Sequence, residues 1–227
     1  MPDIANNITS IKKQIPASVK LVAVSKTRSV EDILIAYNSG QKCFGENRVQ
    51  ELLAKKDHLP EDIQWHLIGH LQTNKVKLIV PFINMIESVD SFKLLSVIDD
   101  EAFRIGRPVD CLFQIHIARE ETKFGFRMSE FSEKDVSAEI GKLKSVRICG
   151  VMGMATFTDD EAQVNDEFGY LEKCFNDLKF KFFKSASYFS EISMGMSGDY
   201  KIAIQRGSTI IRIGSQIFGE RKHTEIK

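Results

Sequence analysis

Residues 21–28 read LVAVSKTR, and the fold can be worked out by following this pattern along the chain. Apolar residues, two of them β-branched, fill the first four positions and predict a buried strand. Lys26 lies at the tip of that strand. Because removing a lysine amine from water costs free energy, its presence there needs a chemical reason.

Similar apolar stretches recur along the chain, with helical patterns between them. The segments SVEDILIAYNSG and SFKLLSVIDDEAFRIG each have an N-cap serine, apolar residues spaced near 3.6 and a glycine at the end. They predict crossover helices. The other seven candidate strands lie within KCFGEN, WHLIGH, NMIESVD, DCLFQIHIA, VRICGVMGMAT, YFSEISMGMS and TIIRIGSQIFG.

The alternation of strand and helix predicts an α/β fold with a parallel sheet, since parallel neighbours need long crossovers. Eight such units in 227 residues predict a single (β/α)8 TIM barrel. A doubly wound open sheet is the alternative, but no G-x-G-x-x-G follows the first strand. No linker divides the chain, so we expect one domain over residues 1–227, with an extra N-terminal helix over about residues 3–15.

The composition narrows the classes of partner. Lys+Arg and Asp+Glu both number 31, which gives no net charge and disfavours nucleic acid and anionic membranes as partners. No secretory signal or apolar run of about 18 residues is present, so we expect a cytoplasmic protein. The absence of an evident exposed apolar stripe favours a monomer. The four cysteines form no C-x-x-C pair and are expected to be buried thiols rather than metal ligands or disulfides.

Two segments at predicted strand ends have the composition of a phosphate site. In TIM barrels, phosphates commonly bind the loops after strands seven and eight. The seventh strand leads into SMGMSGDY, where Gly195, Ser197 and Gly198 precede a short helix. The eighth ends in RIGSQIFG, where Gly214 allows a close approach to the backbone and Ser215 adds a hydroxyl. Each glycine alone is typical of a turn, but together they predict an anion site.

Arg212 is expected to point into the barrel near this site. It shares a strand face with Gly214, and Ile211 and Ile213 take the other face. A buried arginine needs an acceptor, which is either a structural ion-pair partner or a ligand. Beside a phosphate site, Lys26 can form a Schiff base with a phosphorylated aldehyde. An aldehyde, a phosphate and an aromatic nitrogen that accepts from Arg212 together describe pyridoxal 5'-phosphate.

The sequence resembles the pyridoxal phosphate homeostasis protein family, also called the alanine racemase N-terminal-like family. The motifs that carry the resemblance are AVSKT, FGENRVQE, WHLIGHLQTNK, ETKFGF, GVMGMATF, SEISMGMSGDYKIAIQRGST and RIGSQIFG, which extend from about residue 21 to residue 219. The resemblance implies a barrel of the fold-type III class that binds pyridoxal 5'-phosphate. It also implies a set of cofactor-binding residues: Lys26 for the Schiff base, Arg212 for the pyridine nitrogen, Ser197, Gly214, Ser215 and the Met196 backbone for the phosphate, and Asn47 near the ring hydroxyl.

The resemblance further implies a cofactor carrier in vitamin B6 homeostasis, with apoenzymes that use pyridoxal phosphate as its partners and no established catalytic activity. Racemases of this fold class use a second base, a tyrosine from an additional C-terminal domain, and we expect no such domain in a chain that ends at Lys227. A weak amino-acid racemase is the alternative, with Tyr200 as its candidate acid–base group. A Schiff-base aldolase is a third, although it predicts a lysine on a middle strand.

Three other patterns have more ordinary interpretations. His66 and His70 lie four apart in WHLIGH, but without the glutamate of H-E-x-x-H, so we expect no metal site. The segment KFKFFKSASYF interleaves lysine with aromatic residues, which in a neutral chain favours a helix end that covers the barrel over a nucleic-acid site. Glu120 and Glu121 are typical of a solvated loop.

Overall fold

The structure, a computed structural model, is a closed barrel of eight parallel strands in the order β1 to β8, and β8 pairs with β1. It describes residues 2–120, 123–133 and 136–220. The other residues of the predicted domain, Glu121 among them, lie outside the described residues. The strands are β1 Lys20–Val24, β2 Cys43–Glu46, β3 Gln64–Leu67, β4 Met85–Val89, β5 Val109–Gln114, β6 Val146–Met152, β7 Glu191–Ser193 and β8 Ile210–Ile213. Five of them lie within their predicted stretches, and β1, β3 and β5 begin one residue before theirs. The predicted barrel is confirmed.

Helices follow the strands and cover the outside of the barrel. They are α1 Ile4–Gln14, α2 Val30–Asn38, α3 Val49–Lys56, α4 Val76–Ile79, α5 Phe92–Arg104, α6 Glu130–Glu133, α7 Val136–Gly141, α8 Glu161–Phe182, α9 Tyr200–Gln205 and α10 Ser215–Phe218, and a 3-10 turn over Thr73–Lys75 precedes α4. Helix α1 is the predicted N-terminal addition, and α2 and α5 are the predicted crossovers. None of the helices in the described ranges is long and apolar enough to cross a membrane.

The two predicted crossover helices begin where the sequence places a serine. The Ser29 hydroxyl accepts the Asp32 N–H at 3.2 Å, and the Ser91 hydroxyl accepts the Leu94 N–H at 3.2 Å. Each bond satisfies a backbone donor that the first helical turn leaves unpaired. These caps explain why both helices begin directly after the serine.

The core has two layers because successive strand residues point to opposite faces. The larger layer lies between strands and helices, and Ile211 and Ile213 belong to it. A smaller apolar cluster lies on the opposite face of the strands, inside the barrel. It consists of Val22, Cys43, Met85, Leu112, Cys149, Met152 and Ile210. Ile210 shares its strand face with Arg212, so the arginine points into the barrel as the alternation predicts. All four cysteines are buried and unpaired, as expected.

Asp99 in α5 connects this helix to the start of β6. Its carboxylate accepts the backbone N–H groups of Lys144 at 2.9 Å, Ser145 at 2.7 Å and Val146 at 2.8 Å. We expect Asp99→Ala to lower the free energy of unfolding by about 2 kcal/mol, because these donors lose their acceptor in a partly buried turn. Urea denaturation measures the effect. The exposed neighbour Asp100 is the control, and an equal loss in Asp100→Ala would contradict the role of Asp99.

Candidate functional site

A cavity of about 810 Å³ opens at the C-terminal ends of the strands. The residues predicted to bind a cofactor all line it: Lys26, Asn47, Met196, Ser197, Arg212, Gly214 and Ser215. They come from the ends of β1, β2, β7 and β8, which barrel closure brings together. The structure therefore assembles these residues around one space, as a common site requires.

Lys26 lies in a turn just after β1 rather than on the strand itself, since β1 ends at Val24. Ser25, immediately before it, is fully buried, whereas Lys26 is partly exposed and lines the cavity. The Arg28 N–H donates to the Ser25 carbonyl at 3.0 Å and closes the turn around the lysine. The strand thus brings the lysine to the mouth of the barrel.

Gly195 brings the segment after β7 against helix α9. Its φ is +97°, and a Cβ there would lie 2.6 Å from the Cβ of Ala203, so only glycine fits. Beyond it, the Ser197 hydroxyl accepts the Gly214 N–H at 3.4 Å. This contact joins the ends of β7 and β8, the two segments that the sequence predicts to bind phosphate.

Met196 differs in one respect from the sequence-based expectation. Its backbone N–H donates to Asp199 Oδ1 at 2.5 Å, so this donor already has an acceptor within the chain. Burial raises the pKa of the Asp199 carboxyl, and the bond from Met196 and the charge of Arg212 oppose that rise. Met196 lines the cavity, and its N–H, like that of Gly214, already has an acceptor within the chain.

Arg212 lies buried at the base of the cavity, where only 3% of the residue is exposed. Its Nη1 donates to Ser193 Oγ at 2.5 Å, and its Nη2 donates to the Gly153 carbonyl at 2.9 Å. Nη1 also lies 3.7 Å from Glu87 Oε2. Burial lowers the pKa of Arg212, and Glu87 opposes this. These contacts orient the guanidinium group below the cavity.

Glu87 contacts Arg212 and was not identified by the sequence analysis. It lies fully buried in β4, where its Oε1 is 2.6 Å from His66 Nδ1 and its Oε2 accepts the Ser193 hydroxyl at 2.6 Å. Burial raises the pKa of Glu87, but His66 and Arg212 outweigh it and lower the pKa overall. A glutamate within the apolar run MIESV was the available signal, because a charge on a buried strand needs partners.

The buried histidine carries the opposite charge of this pair. Burial lowers the pKa of His66, but its interactions with Cys43 and Glu87 outweigh that effect and raise the pKa to about 10. His66 and Arg212 are therefore both cationic at neutral pH and lie on either side of one carboxylate. Both interpretations left open for Arg212 can hold together, since it has a structural ion-pair partner and also lines the cavity.

Asn47 reaches the cavity because β2 and β3 end close together. A Cβ on Gly69 would lie 2.3 Å from the Asn47 carbonyl oxygen, so a larger residue would push Asn47 away. Glycine at position 69 thus holds Asn47 at the rim of the cavity.

Comparison with known proteins identifies the family. The chain matches the alanine racemase N-terminal domain family over residues 1–222. Two relatives carry the name pyridoxal phosphate homeostasis protein. The one from Aquifex aeolicus is 37% identical over 205 residues, covering 90% of this chain and 88% of that protein. The human one is 39% identical over 216 residues, covering 91% and 78%. The chain belongs to the pyridoxal phosphate homeostasis protein family.

Solved structures agree with this family assignment. PipY of Synechococcus elongatus, described with PLP bound, is 36% identical to the chain with a TM-score of 0.83, covering 95% of this chain and 100% of PipY. An alanine racemase from Clostridium difficile is 15% identical, with a TM-score of 0.76, over 98% of this chain and 57% of the racemase. At that identity, the racemase supports the fold alone.

Tyr200 does not fit the role that a racemase in this family would need. The side chain is 5% exposed, and its hydroxyl donates to Gln14 Oε1 of α1 at 3.2 Å. It is absent from the cavity lining. The proposal of Tyr200 as an acid–base group was therefore wrong, because the first turn of α9 directs its side chain into the packing against α1.

His70 and Glu120, which the sequence analysis also considered, have structural partners. His70 Nδ1 lies 2.9 Å from Asp90 Oδ2, and its ring stacks on Phe124 with centroids 4.0 Å apart. Glu120 Oε2 lies 3.1 Å from Lys123 Nζ. In the part of the chain that the structure describes, no group of three or more His, Cys, Asp or Glu residues is arranged to hold a metal ion.

Proposed function

We propose that this chain binds pyridoxal 5'-phosphate reversibly through Lys26 and serves as a carrier of that cofactor. The observation that carries the proposal is a single cavity lined by an amine, a buried guanidinium group and anion donors from the ends of β7 and β8. The name of the family and the PLP-bound structure of PipY support it. Apoenzymes that require pyridoxal phosphate are the partners that this function implies.

The donor set fits the chemistry of the cofactor. The volume of about 810 Å³ lies within the range of small-molecule sites. A primary amine suits an aldehyde, hydroxyl and amide N–H groups suit a phosphate, and a guanidinium donor suits an unprotonated ring nitrogen. When bound, pyridoxal phosphate supplies a carbonyl that an amine attacks reversibly with loss of water.

Each lining residue has a role that follows from its position. Lys26 provides the amine, and Ser197, Gly214 and Ser215 bind the phosphate. Asn47 lies on the rim, beside the end of β2, where it suits the ring hydroxyl. Met196 lies in the wall between Ser197 and β7, and its N–H donates to Asp199 at 2.5 Å, a shorter contact than the 3.4 Å from the Gly214 N–H to Ser197.

Arg212 is the residue that favours a carrier over a catalyst. As a cationic donor, it keeps the ring nitrogen unprotonated, which weakens the ring as an electron sink. A racemase also needs a second acid–base group across the ring, and Tyr200 is not in the cavity. The position of Lys26, after the first strand, disfavours the aldolase alternative. We therefore propose reversible binding without catalytic turnover.

The Schiff base of Lys26 is tested by its absorption. Adding pyridoxal 5'-phosphate to the purified protein is expected to produce a visible absorption band. Lys26→Ala is expected to abolish it, because Lys26 is the one lysine among the described residues that lines the cavity. Lys20→Ala, at the opposite end of β1, is the control and should keep the band. A band of unchanged intensity in Lys26→Ala would contradict the proposal.

A second assay separates a carrier from a racemase. The loaded protein is incubated with a panel of L-amino acids, and D-isomers are measured by chiral chromatography. The carrier function predicts no more D-isomer than in a control without protein. Product formed over many turnovers would overturn it.

A further inference from the structure

The turn that carries Lys26 is held from both sides by helix α3. On one side, the Lys55 ammonium group donates to the Ser25 carbonyl at 2.9 Å. On the other, the Thr27 N–H donates to Glu51 Oε1. The two peptide groups that flank Lys26 are therefore both bonded to side chains of α3, at positions four apart on one helix face.

These two side chains are part of one ion network. Lys55 Nζ lies 2.6 Å from Glu51 Oε1 and 2.8 Å from Glu46 Oε1, and the Ser25 hydroxyl also donates to Glu46 Oε1 at 2.7 Å. Glu46 is fully buried and Lys55 is 7% exposed. Burying such charges is costly, and well-packed apolar residues are often at least as stabilising. The network is therefore better explained by the geometry it imposes than by stability.

That geometry is an unfavourable one. Thr27 has a φ of +64°, the left-handed region that β-branched residues avoid. It is the third residue of the tight turn closed by the Arg28 N–H and the Ser25 carbonyl, a position where a positive φ normally requires glycine. Strained backbone of this kind persists where surrounding contacts hold it, often at functional sites. Here Glu51 bonds the N–H of the strained residue itself.

We propose that Lys55 is a positioning residue for Lys26: together with Glu51 it holds the turn of residues 25–28 in the conformation that presents the Lys26 amine to the cavity. This inference rests on the proposed function of Lys26. It assigns a buried ion network outside the cavity to the speed with which the amine captures an aldehyde. The anion donors belong to the ends of β7 and β8 rather than to α3 or to the turn of residues 25–28.

The test compares covalent capture with simple binding. In stopped-flow mixing with pyridoxal 5'-phosphate, we expect Lys55→Met to form the visible band about tenfold more slowly or worse, because small misplacements of reacting groups cost large factors in rate. Affinity for pyridoxine 5'-phosphate, which lacks the aldehyde, should be unchanged. Lys56→Met, whose lysine pairs with Asp57 next to it, is the matched control and should behave as wild type.

A rescue variant separates positioning from a general structural role. Glycine adopts a positive φ without strain, so Thr27→Gly in the Lys55→Met background should restore much of the rate. If Lys55→Met folds poorly, Glu51→Ala, which removes the acceptor of the Thr27 N–H, should slow band formation in the same way.

The outcomes that would overturn the inference are distinct from failure of the proposed function. Wild-type rates in both Lys55→Met and Glu51→Ala would overturn it. So would an equal loss of affinity for pyridoxine 5'-phosphate, or a lack of rescue by Thr27→Gly. If the wild-type protein itself forms no band, it is the Schiff base of the proposed function that fails.

Discussion

Glu87→Gln is expected to lower the free energy of unfolding by about 3–5 kcal/mol, because it leaves buried cations without their counter-ion. His66 and Arg212 both lie against this carboxylate, at 2.6 Å and 3.7 Å. Glutamine keeps the shape and removes the charge, so the loss reports electrostatics rather than a cavity. For a chain of this size, the melting temperature should fall by about 10 °C.

The control for this experiment is a glutamate in a surface ion pair. Glu101 pairs with Arg104, whose side chain is 67% exposed, and Glu101→Gln should cost less than about 1 kcal/mol. Chemical denaturation of the two variants measures the difference. Equal losses would show that the buried pair contributes no more than an ordinary surface contact.

The effect of Glu87→Gln on stability should depend on pH, because the pKa of His66 is raised. Burial lowers this pKa, but Cys43 and Glu87 raise it from 6.5 to about 10. A pKa raised on folding stabilises the protein fully below about pH 6.5, and this contribution is lost as the pH rises towards 10. The stability gap between wild type and Glu87→Gln should therefore be larger at pH 6 than at pH 10, as denaturation at the two values can measure.

Arg212→Gln is expected to weaken the retention of pyridoxal 5'-phosphate by about 10- to 100-fold, the loss typical for a hydrogen bond from a charged donor. The visible band should still form, since Lys26 is unaltered. Equilibrium dialysis gives the dissociation constant. Arg147→Gln provides the control, because Arg147 pairs with Asp110 and does not line the cavity.

The result distinguishes the two roles of Arg212, as a ligand of the cofactor and as the ion-pair partner of Glu87. Unchanged affinity would remove Arg212 from the cofactor site and leave it as the structural partner of Glu87 alone. Loss of affinity together with an intact fold would support a direct contact with the ring. Circular dichroism and a melting curve show whether the variant is folded, so that the two results can be separated.

Much of the fold could be predicted because its signals are local. Runs of apolar residues, serine caps and terminal glycines lie within a few residues of the features they predict, and the eight strands and helices α2 and α5 follow from them. The inward direction of Arg212 follows from strand alternation alone. In TIM barrels, ligands bind at the C-terminal ends of the strands. This rule indicates which residues line the cavity.

Tyr200 shows where local patterns stop being informative. As the candidate acid–base group of a racemase it would have to lie in the cavity, yet its hydroxyl bonds Gln14, which is 186 positions away. The direction of a side chain in the first turn of a short helix depends on how that helix packs, and no pattern in the surrounding residues specifies this.

The amino-acid order thus accounts for the strands, the barrel and the residues at its mouth, since each depends on periodicity and caps along a short stretch. The contacts that orient those residues depend on folding. Glu87 and Ser193 are 106 positions apart, and Lys55 lies 30 positions from the Ser25 carbonyl it bonds. These pairs meet because closure of the barrel juxtaposes strand ends distant in sequence, and a buried charge acquires its partner from whichever strand or helix that closure brings beside it.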